Sequence, residues 1–468
     1  MTVRVRFAPS PTGKVHIGNL RTALVNALYA IKTDGQFILR FEDTDLEREV
    51  KGSEEVMLDA FEALGVVPDE SVRHGGDFAP YRTRERAENG DYDRALKTLF
   101  DKGLAYECYV SKEELDMIRR LRTSRGLPPG YDNRHRDLTD AQREEFKAQG
   151  LTPVIRFKLE DGEIAFDDLV RGHVSYQPQN LGGDPVIVRS NGIPTFAFAA
   201  AVDDINQKIT HIVRGEDHVT NTAIQVRIFE ALGVKAPAFA HLSLLLGPDG
   251  EKLSKRLDSL SIAHLIEQGY MPEAIVSYLA AIGSSTDPVL GDMKTLAERF
   301  EFSNMGRAPV RFDLSHLGRL NAEAIHNSDW ADVAARVKNF LPEDAEKETD
   351  LETFWQTVRA NLTLLADVRS YYDVCFGVLP QVDMDADDRS FIAQALQTLP
   401  KGPYDKTTWG TWINVLKEKS GRKGKGLFMP LRQALTGQNH GPELDLILPL
   451  LGEDRARLRL EQVAQKAA

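Results

Sequence analysis

The pattern of apolar and polar residues at the start of the chain predicts a β-strand followed by a helix. Valine and phenylalanine alternate with arginine from residue 3 to residue 7, as in a half-buried strand. Two prolines and a glycine then predict a turn. Apolar residues recur at helical spacing from residue 20 to residue 31. The sequence His-Ile-Gly-Asn at residues 16–19 therefore stands at the start of a helix, directly after a strand.

The start of this predicted helix is suited to bind a phosphate group. Free backbone N–H groups and the positive end of the helix dipole favour an anion there. Gly18 allows a ligand to approach the backbone closely, and the side chains of His16 and Asn19 can donate hydrogen bonds. The alternative is a structural loop with a helix cap and a hydrogen-bonded histidine. This segment taken alone favours the two interpretations equally.

A second segment, about 240 residues further along, also has the character of an anion-binding loop. An apolar run at residues 242–247 predicts a buried strand, and Pro-Asp-Gly at residues 248–250 predicts a turn. Lys252 and Lys255 then flank Ser254, and their flexible ammonium groups can follow phosphate charge as it moves during a reaction. A solvated basic turn would explain this segment alone. Together, the two segments predict one nucleotide site assembled from two distant parts of the chain.

The pattern changes beyond residue 323, where apolar residues recur at helical spacing and no run predicts a β-hairpin. The stretches with the clearest helical spacing are residues 330–340, 351–376, 388–399, 409–419 and 444–451. We therefore expect an all-α region in the last third of the chain.

Composition limits the class of protein. A length of 468 residues allows three or more domains, and 42% apolar with 27% charged residues is ordinary for a soluble protein. The two cysteines predict a reducing compartment without a disulfide framework. No apolar stretch approaches the ~20 residues that span a bilayer, and the chain starts with a strand rather than a signal peptide. We expect a cytoplasmic protein with no membrane contact.

Two basic patches predict contacts with nucleic acid, although the net charge of −12 argues mildly against them. The first patch contains Arg119, Arg120, Arg122 and Arg125, and the second contains Lys423 and Lys425. A solvated surface is the alternative for each patch. If the patches bind RNA, the binding should weaken with salt.

The two anion-binding segments resemble the two signature motifs of class I aminoacyl-tRNA synthetases. Pro-Ser-Pro-Thr-Gly at residues 9–13 and Glu-Asp-Thr-Asp at residues 42–45 are specific to the glutamyl and glutaminyl subgroup. His-Ile-Val-Arg-Gly-Glu-Asp at residues 211–217 also matches. The resemblance covers residues 1–325 well, and it continues to the end of the chain more weakly. The helical tail favours the glutamyl-tRNA synthetase family, because glutaminyl enzymes end in β-barrels.

The resemblance implies an α/β fold with four domains. Residues 1–84 and 192–222 would form a Rossmann-like catalytic domain. Residues 85–191 would form an inserted α/β domain that binds the tRNA acceptor end. Residues 223–322 would form a connector domain that carries the second segment, and residues 323–468 an all-α anticodon-binding region.

The implied amino-acid substrate is L-glutamate, which carries two carboxylates and one ammonium group. Arginine is suited to carboxylates because its planar fork can bind them bidentately. By resemblance, Arg6 and Arg214 would hold the carboxylates, Ala8 and Ser10 would line the same pocket, and Glu42 would bind the ammonium group. The alternatives are an acidic turn for Glu42 and an ion pair with Glu216 or Asp217 for Arg214.

The implied reaction joins glutamate to tRNA in two steps, through glutamyl-adenylate and at the expense of ATP. His16 and Lys255 would stabilise the triphosphate as charge moves toward pyrophosphate, and Mg²⁺ would accompany ATP, held mainly by phosphates and water. The remaining contacts to ATP implied by the resemblance are Gly18, Asn19, Asp217, Lys252, Ser254 and the backbone near Leu245.

The chain departs from the family pattern at three places. Asn19 replaces the usual glycine or threonine and can still donate a hydrogen bond. Phe196 stands where tyrosine is usual, so we expect it to line the amino-acid pocket with an altered affinity. The zinc site of some relatives is reduced here to Cys108, Val110, His135 and Asp137. Because structural zinc needs four ligands, usually thiolate or imidazole, we expect no zinc.

The choice of tRNA is left open by the sequence. The enzyme would charge tRNA(Glu) alone, or would also charge or prefer tRNA(Gln). A rough register places Asn361 where some relatives read the third anticodon base. The family is mostly monomeric. A small-molecule nucleotidyltransferase and a non-enzymatic RNA-binding protein are the alternatives, and the length, inserted domain and helical tail argue against the first.

Overall fold

The computed structural model describes residues 2–11, 15–43, 50–251, 260–379 and 382–465. The chain divides into two compact units. The first unit comprises Met1–His264 and Val276–Leu314, and the second comprises Leu265–Ile275 and Ser315–Ala468. None of the helices in the described ranges is long and apolar enough to cross a membrane.

The strands lie in the first unit. They are β1 (Arg4–Phe7), β2 (Gln36–Leu39), β3 (Ala105–Cys108), β4 (Val154–Phe157), β5 (Ile164–Asp168), β6 (Gly172–Tyr176), β7 (Val186–Val188), β8 (His211–Gly215), β9 (Ala238–Leu242), β10 (Leu245–Leu246) and β11 (Val310–Arg311).

The helices before residue 314 are α1 (Ile17–Lys32), α2 (Ser53–Glu62), α3 (Thr83–Glu88), α4 (Asp91–Asp101), α5 (Lys112–Ser124), α6 (Asp140–Ala148), α7 (Phe196–Asn206), α8 (Val219–Ala231), α9 (Ile262–Glu267), α10 (Pro272–Ala281) and α11 (Met293–Arg299). Those that follow are α12 (Leu314–Asn327), α13 (Trp330–Lys338), α14 (Ala345–Glu348), α15 (Leu351–Val358), α16 (Asp367–Phe376), α17 (Ala386–Gln397), α18 (Thr408–Ser420), α19 (Lys425–Thr436) and α20 (Leu444–Ala464).

The main sheet confirms the predicted Rossmann-like α/β fold. Its strand order is β2-β1-β8-β9-β5-β6. The first five strands in this order are parallel to one another, and β6 is antiparallel to β5. Val5, Ile38, Ile212 and Phe239, one from each of β1, β2, β8 and β9, are buried, as expected for parallel strands covered on both faces. In such open sheets, ligands bind outside the carboxyl ends of the strands.

The main sheet extends beyond the ranges expected for the catalytic domain. Strands β5 and β6 come from the predicted inserted domain, and β9 comes from the predicted connector. The link is a parallel pairing in which Asp168 of β5 lies opposite Phe239 of β9. The rest of the inserted region forms a separate antiparallel sheet, β3-β4-β7. The division into four domains stays a prediction, and the sheet draws strands from three of them.

The prediction of one strand at residues 242–247 is wrong. Strand β9 ends at Leu242, and β10 pairs with β11 in a separate two-stranded sheet. The backbone N–H of Leu244 donates instead to the carboxylate of Glu216 at 2.9 Å. This contact with a side chain takes the place of a main-chain hydrogen bond between strands. It interrupts the predicted strand at the edge of the site.

The second unit is helical, as predicted, although α14 and α19 lie outside the stretches named from the sequence and two of those stretches differ in extent. The stretch 351–376 is interrupted between α15 and α16, because the carboxylate of Asp367 accepts the backbone N–H groups of Thr363 and Leu364 and begins a new helix. The stretch 444–451 continues to Ala464 across a kink at Gly452, whose φ is 69°. The added part of α20 was missed because charged residues interrupt its apolar spacing.

Arg459 joins three chain segments inside the second unit. It is buried on α20, and its guanidinium donates to the carbonyl oxygens of Leu435, Cys375 and Gly377 at 2.6, 3.2 and 3.2 Å. These carbonyls lie at the ends of α19 and α16, where helical acceptors lack partners in their own helix. Arg459 therefore satisfies acceptors that water does not reach.

We predict that Arg459→Met lowers the free energy of unfolding of the second unit by about 2 kcal/mol, because buried carbonyls lose their donor. All four tryptophans of the chain, Trp330, Trp355, Trp409 and Trp412, lie in this unit, so urea unfolding followed by tryptophan fluorescence measures it selectively. Arg457→Met is the matched control, since Arg457 pairs with Glu453 at the surface of the same helix. Equal effects of the two substitutions would contradict the prediction.

Candidate active site

A cavity of about 580 Å³ lies at the carboxyl ends of β1, β8 and β9. Every described residue that was predicted to bind the amino acid or ATP lines it. These residues are Arg6, Ala8, Ser10, His16, Gly18, Asn19, Glu42, Phe196, Arg214, Asp217 and Leu245. The cavity therefore brings together side chains from the first 42 residues and from residues 196–245.

Backbone hydrogen bonds join the first anion-binding segment to residues that come after the second in the sequence. The N–H of Ile17 donates to the carbonyl of Leu260 at 3.3 Å, and the N–H of Ile262 donates to the carbonyl of Val15 at 3.2 Å. Leu260 and Ile262 come five and seven residues after Lys255 in the sequence. Lys252, Ser254 and Lys255 themselves lie outside the described residues. The main-chain bonds support the prediction that both segments belong to one site.

His16 caps helix α1. Its Nδ1 accepts the backbone N–H groups of Gly18 and Asn19 at 3.1 and 3.3 Å. These two groups were expected to be free for a phosphate, and that expectation is wrong because the histidine ring occupies them. Burial lowers the pKa of His16. A neutral ring that accepts at Nδ1 carries its proton on Nε2, so Nε2–H is the donor that His16 can offer to a ligand.

Buried acids on α7 pair with the arginines beneath the cavity. Asp204 binds Arg6 through two hydrogen bonds of 3.1 and 3.3 Å, and it also accepts from Arg40 at 3.0 Å. Asp203 lies 3.5 Å from Nε of Arg40 and accepts from the hydroxyl of Tyr92 at 3.0 Å. The arginines outweigh the effect of burial and hold the pKa of Asp204 below its usual range.

Glu42 is buried beside these charges. Its carboxylate lies 3.4 Å from Nη2 of Arg40, and its side chain also borders the cavity. Burial raises the pKa of Glu42 to about 7, although Arg40 and Arg6 oppose the shift. The alternative of a solvated acidic turn does not fit a side chain in this position.

Arg214 is a buried cation with neutral partners. Its Nε donates to Nε2 of His241 at 3.3 Å, and its Nη2 donates to Thr222 and Gln225 at 2.6 Å each. Its Nη1 has no hydrogen-bond partner within the described ranges. Burial, together with the charge of Arg6, lowers the pKa of Arg214 to about 9. The alternative of an ion pair with Glu216 is wrong, because Glu216 pairs with Arg171 at 2.6 Å.

Arg21 and His218 also line the cavity, and sequence analysis missed them. Arg21 is buried on α1, donates to the carbonyl of Ser243 at 2.7 Å, and leaves Nε and Nη2 without a partner in the described chain. Burial lowers its pKa to about 10. The ring of His218 lies 5.0 Å from that of Phe196. The available signal for Arg21 was a charged residue on the apolar face of a predicted helix.

The predicted RNA-binding residues lie on other surfaces. On α5, Arg119 pairs with Asp116 at 3.1 Å, and Arg122 donates to the carbonyl of Pro128 at 2.9 Å. The other predicted residues, Arg120, Arg125, Lys423 and Lys425, are exposed. Neither patch contributes a residue to the lining of the cavity.

The remnant of the zinc site is held by other contacts. The thiol of Cys108 lies 3.5 Å from the hydroxyl of Tyr131, and Nδ1 of His135 accepts the N–H of Tyr109 at 3.1 Å. In the part of the chain that the structure describes, no three His, Cys, Asp or Glu side chains are grouped closely enough to hold a metal ion. The absence of zinc stays a prediction.

Comparison with known proteins gives matches along almost the whole chain. The family model for the catalytic domain of class I tRNA synthetases (E and Q) matches residues 2–317, and the model for an anticodon binding domain matches residues 332–464. Glutamate–tRNA ligase 1 of Maricaulis maris strain MCS10 is 44% identical, with 98% of each chain covered. Glutamate–tRNA ligase 2 of Hyphomonas neptunium strain ATCC 15444 is 43% identical, with 97% of this chain and 99% of that protein covered.

A solved structure agrees with these matches. The crystal structure of a glutamate tRNA ligase from Elizabethkingia meningosepticum CCUG26117, in complex with its amino acid, superposes with a TM-score of 0.87. The sequences are 31% identical, and the alignment covers 100% of both chains. Sequence and fold agree with the predicted family, and the chain belongs to the class I tRNA synthetases of the glutamate and glutamine group.

Proposed function

We propose that the cavity binds L-glutamate and ATP, and that the protein joins glutamate to tRNA through glutamyl-adenylate. The observation that carries this proposal is that one cavity contains both a buried glutamate, Glu42, and a buried arginine, Arg214, that has no acidic partner among the described residues. Such an arginine favours a carboxylate ligand, and such a glutamate favours an ammonium group. The relatives named as glutamate–tRNA ligases, one of them crystallised with its amino acid, support this choice of substrate.

Arg214 is the better candidate for the main contact with a substrate carboxylate. Arg6 already has Asp204 as a bidentate partner, whereas no acid neutralises Arg214 in the described structure. We assign Glu42 to the ammonium group of glutamate. Ala8, Ser10 and Phe196 complete the wall of the cavity. Phe196 offers a ring without a hydroxyl, so it contributes apolar contact rather than a hydrogen bond.

We propose a reaction in two steps. The substrate α-carboxylate attacks the α-phosphorus of ATP and pyrophosphate leaves; the ribose 2′-hydroxyl of the terminal tRNA adenosine then attacks the carbonyl and AMP leaves. We assign Nε2–H of His16 and the ammonium group of Lys255 to the triphosphate, as donors to charge that moves onto pyrophosphate. Gly18, Asn19, Asp217 and Leu245 border the space for the nucleotide. Lys252 and Ser254 are assigned by their place in the second motif.

Mg²⁺ would enter as part of the nucleotide substrate. ATP phosphates and water would supply most of its ligands, because Mg²⁺ usually keeps several waters when it binds with a nucleotide. The ion would neutralise phosphate charge, while His16 and Lys255 orient the leaving pyrophosphate.

We further propose that tRNA binds along both basic patches. The acceptor end would contact α5 at Arg119, Arg120, Arg122 and Arg125, and the anticodon end would contact Lys423 and Lys425. The match of residues 332–464 to an anticodon binding domain supports the second assignment and argues against a nucleotidyltransferase that acts without RNA. tRNA(Glu) is the expected acceptor, and tRNA(Gln) the second to test. We expect a monomer in the cytoplasm.

We predict that Glu42→Gln stabilises the first unit at pH 8 but not at pH 4. The pKa of Glu42 is about 7 in the fold against an ordinary 4.5, so the folded protein binds this proton more tightly than the unfolded chain. The stability that the bound proton contributes is present below pH 4.5 and is lost as the pH rises through 7. Gln imitates the neutral form, and its advantage at pH 8 should reach about 3 kcal/mol.

The measurement is urea unfolding followed by circular dichroism at both pH values, with tryptophan fluorescence marking the transition of the second unit. The same variant should lose affinity for glutamate, because a neutral amide does not pair with the ammonium group. An equal advantage at pH 4 and pH 8 would show that the ionisation of Glu42 does not cause the effect.

We predict that His16→Asn and His16→Ala separate the two roles of His16. Asparagine is a good N-cap residue, so His16→Asn should keep the melting temperature near that of the wild type, while His16→Ala should cost about 1 kcal/mol. Both variants lack the Nε2 donor. Each should therefore slow glutamyl-adenylate formation by about 10²–10³. Pyrophosphate exchange and thermal melting measure the two effects, and normal exchange in His16→Asn would remove His16 from the mechanism.

The function itself is tested by charging with radiolabelled glutamate, using purified tRNA(Glu) and tRNA(Gln) in parallel. We expect charged tRNA(Glu), formed only with ATP, and a rate that falls as salt rises. Replacing Lys423 and Lys425 together by alanine should raise the KM for tRNA and leave the KM for glutamate unchanged. Charging of neither tRNA would refute the proposed function, and charging of tRNA(Gln) as well would identify a non-discriminating enzyme.

A further inference from the structure

A chain of buried hydrogen bonds leads from the β5–β6 hairpin to Arg214. Asp168, the last residue of β5, accepts the backbone N–H groups of Val170 and Arg171 on Oδ1 at 2.9 and 2.7 Å. Its Oδ2 lies 2.6 Å from Nδ1 of His241 and accepts the backbone N–H of that residue at 3.1 Å. Nε2 of His241 then lies 3.3 Å from Nε of Arg214. Asp168, His241 and Arg214 are all buried.

The positions of the protons along this series of hydrogen bonds follow from the groups at its two ends, the guanidinium of Arg214 and the carboxylate of Asp168. An arginine Nε always donates, so Nε2 of His241 must accept. The hydroxyl of Thr222, 2.8 Å from the same nitrogen, can donate to it as well. Asp168 has only acceptors when ionised, and its contacts with His241 and two backbone amides outweigh burial to hold its pKa below the usual range. Nδ1 of His241 therefore carries the proton. Burial also lowers the pKa of His241, in agreement with a neutral ring.

The arrangement fixes the guanidinium of Arg214 without cancelling its charge. His241 accepts from Nε, while Thr222 and Gln225 accept from Nη2. All three acceptors are neutral. The acid in this series of hydrogen bonds is Asp168. It contacts His241 rather than Arg214, so the neutral histidine separates it from the cation. A carboxylate in direct contact would compete with the substrate for the guanidinium.

We propose that Asp168 and His241 are positioning residues for glutamate: they hold Arg214 in the orientation that binds a substrate carboxylate. This inference rests on the proposed function, in which Arg214 binds glutamate. It assigns a part in the amino-acid site to β5, a strand from the segment that the sequence assigns to the acceptor end of tRNA. Neither Asp168 nor His241 borders the cavity, so both act through Arg214.

Asp168→Asn tests the proposal because it reverses the direction of the hydrogen bond between residue 168 and Nδ1 of His241. The amide oxygen would have to remain on the N–H groups of Val170 and Arg171, which leaves the amide NH₂ facing Nδ1 of His241. The histidine proton would then move to Nε2, where the hydroxyl of Thr222 can accept it, and Nε of Arg214 would lose its acceptor. In pyrophosphate exchange, we expect the KM for glutamate to rise about tenfold or more, equivalent to 1.4 kcal/mol, and the KM for ATP to change less than twofold. Asp167→Asn, at an exposed position of the same hairpin, is the control and should match the wild type.

Two substitutions at His241 keep the test decisive if Asp168→Asn does not fold. The amide of His241→Gln can donate to Asp168 and accept from Arg214, so this variant should retain a KM for glutamate within about threefold of the wild type. His241→Leu removes both bonds and should raise the KM for glutamate about tenfold. A KM for glutamate that is unchanged in Asp168→Asn and in His241→Leu, or that rises equally with the KM for ATP, would overturn the proposal.

A spectroscopic readout separates this inference from the proposed function. In protein with ¹⁵N-labelled histidine, the ring nitrogens of His241 should show an unprotonated Nε2 in the wild type and a protonated Nε2 in Asp168→Asn. The signal of His241 is identified by its loss in His241→Gln. The exchange assays contain tRNA(Glu), and if the wild type then catalyses no glutamate-dependent exchange, the proposed function fails whatever the tautomer. If exchange is normal but Nε2 is protonated in the wild type, only the positioning role fails.

Discussion

The burial of arginine beneath the cavity is the constraint on which the first unit depends. A guanidinium removed from water is costly unless acids or hydrogen-bond acceptors surround it. The fold provides Asp203 and Asp204 on α7 for Arg6 and Arg40, and these contacts join α7 to β1 and to the end of β2. Arg214 receives neutral acceptors instead. The charge left at Arg214 gives the cavity its attraction for an anion.

The β5–β6 hairpin supports both halves of the cavity from outside it. Asp168 reaches Arg214 through His241, while Arg171, three residues later, pairs with Glu216. The other oxygen of Glu216 accepts the N–H of Leu244, next to the predicted adenosine contact. Because β5 also pairs with β9, the hairpin belongs to the sheet and not to a separate appendage. A shift of the hairpin would therefore reach the amino-acid side and the nucleotide side together.

The sequence predicted the residues that face the ligand better than those that support them. Arg6 and Arg214 lie near the carboxyl ends of β1 and β8, and Glu42 comes after β2. All three belong to short recognisable motifs, so local patterns identified them. Asp204 lies 198 residues from Arg6, and Asp168 lies 73 residues from His241. A linear pattern does not show which distant charges meet, since that depends on strand order and on the register of β5 with β9. The role of His16 shows the same limit of sequence-based prediction. Which ring nitrogen caps α1, and which can face a ligand, depends on the orientation of the ring.

The neutral surroundings of Arg214 also bear on the choice between glutamate and glutamine under the proposed function. An uncompensated cation gains more from a carboxylate than from an uncharged amide of the same shape. An amide would also turn one N–H donor group toward a guanidinium that can only donate. An acid in direct contact with Arg214 would weaken both effects, because the cation would already be neutralised. The separation of Asp168 from Arg214 by a neutral histidine thus keeps the guanidinium rigid and selective for a carboxylate.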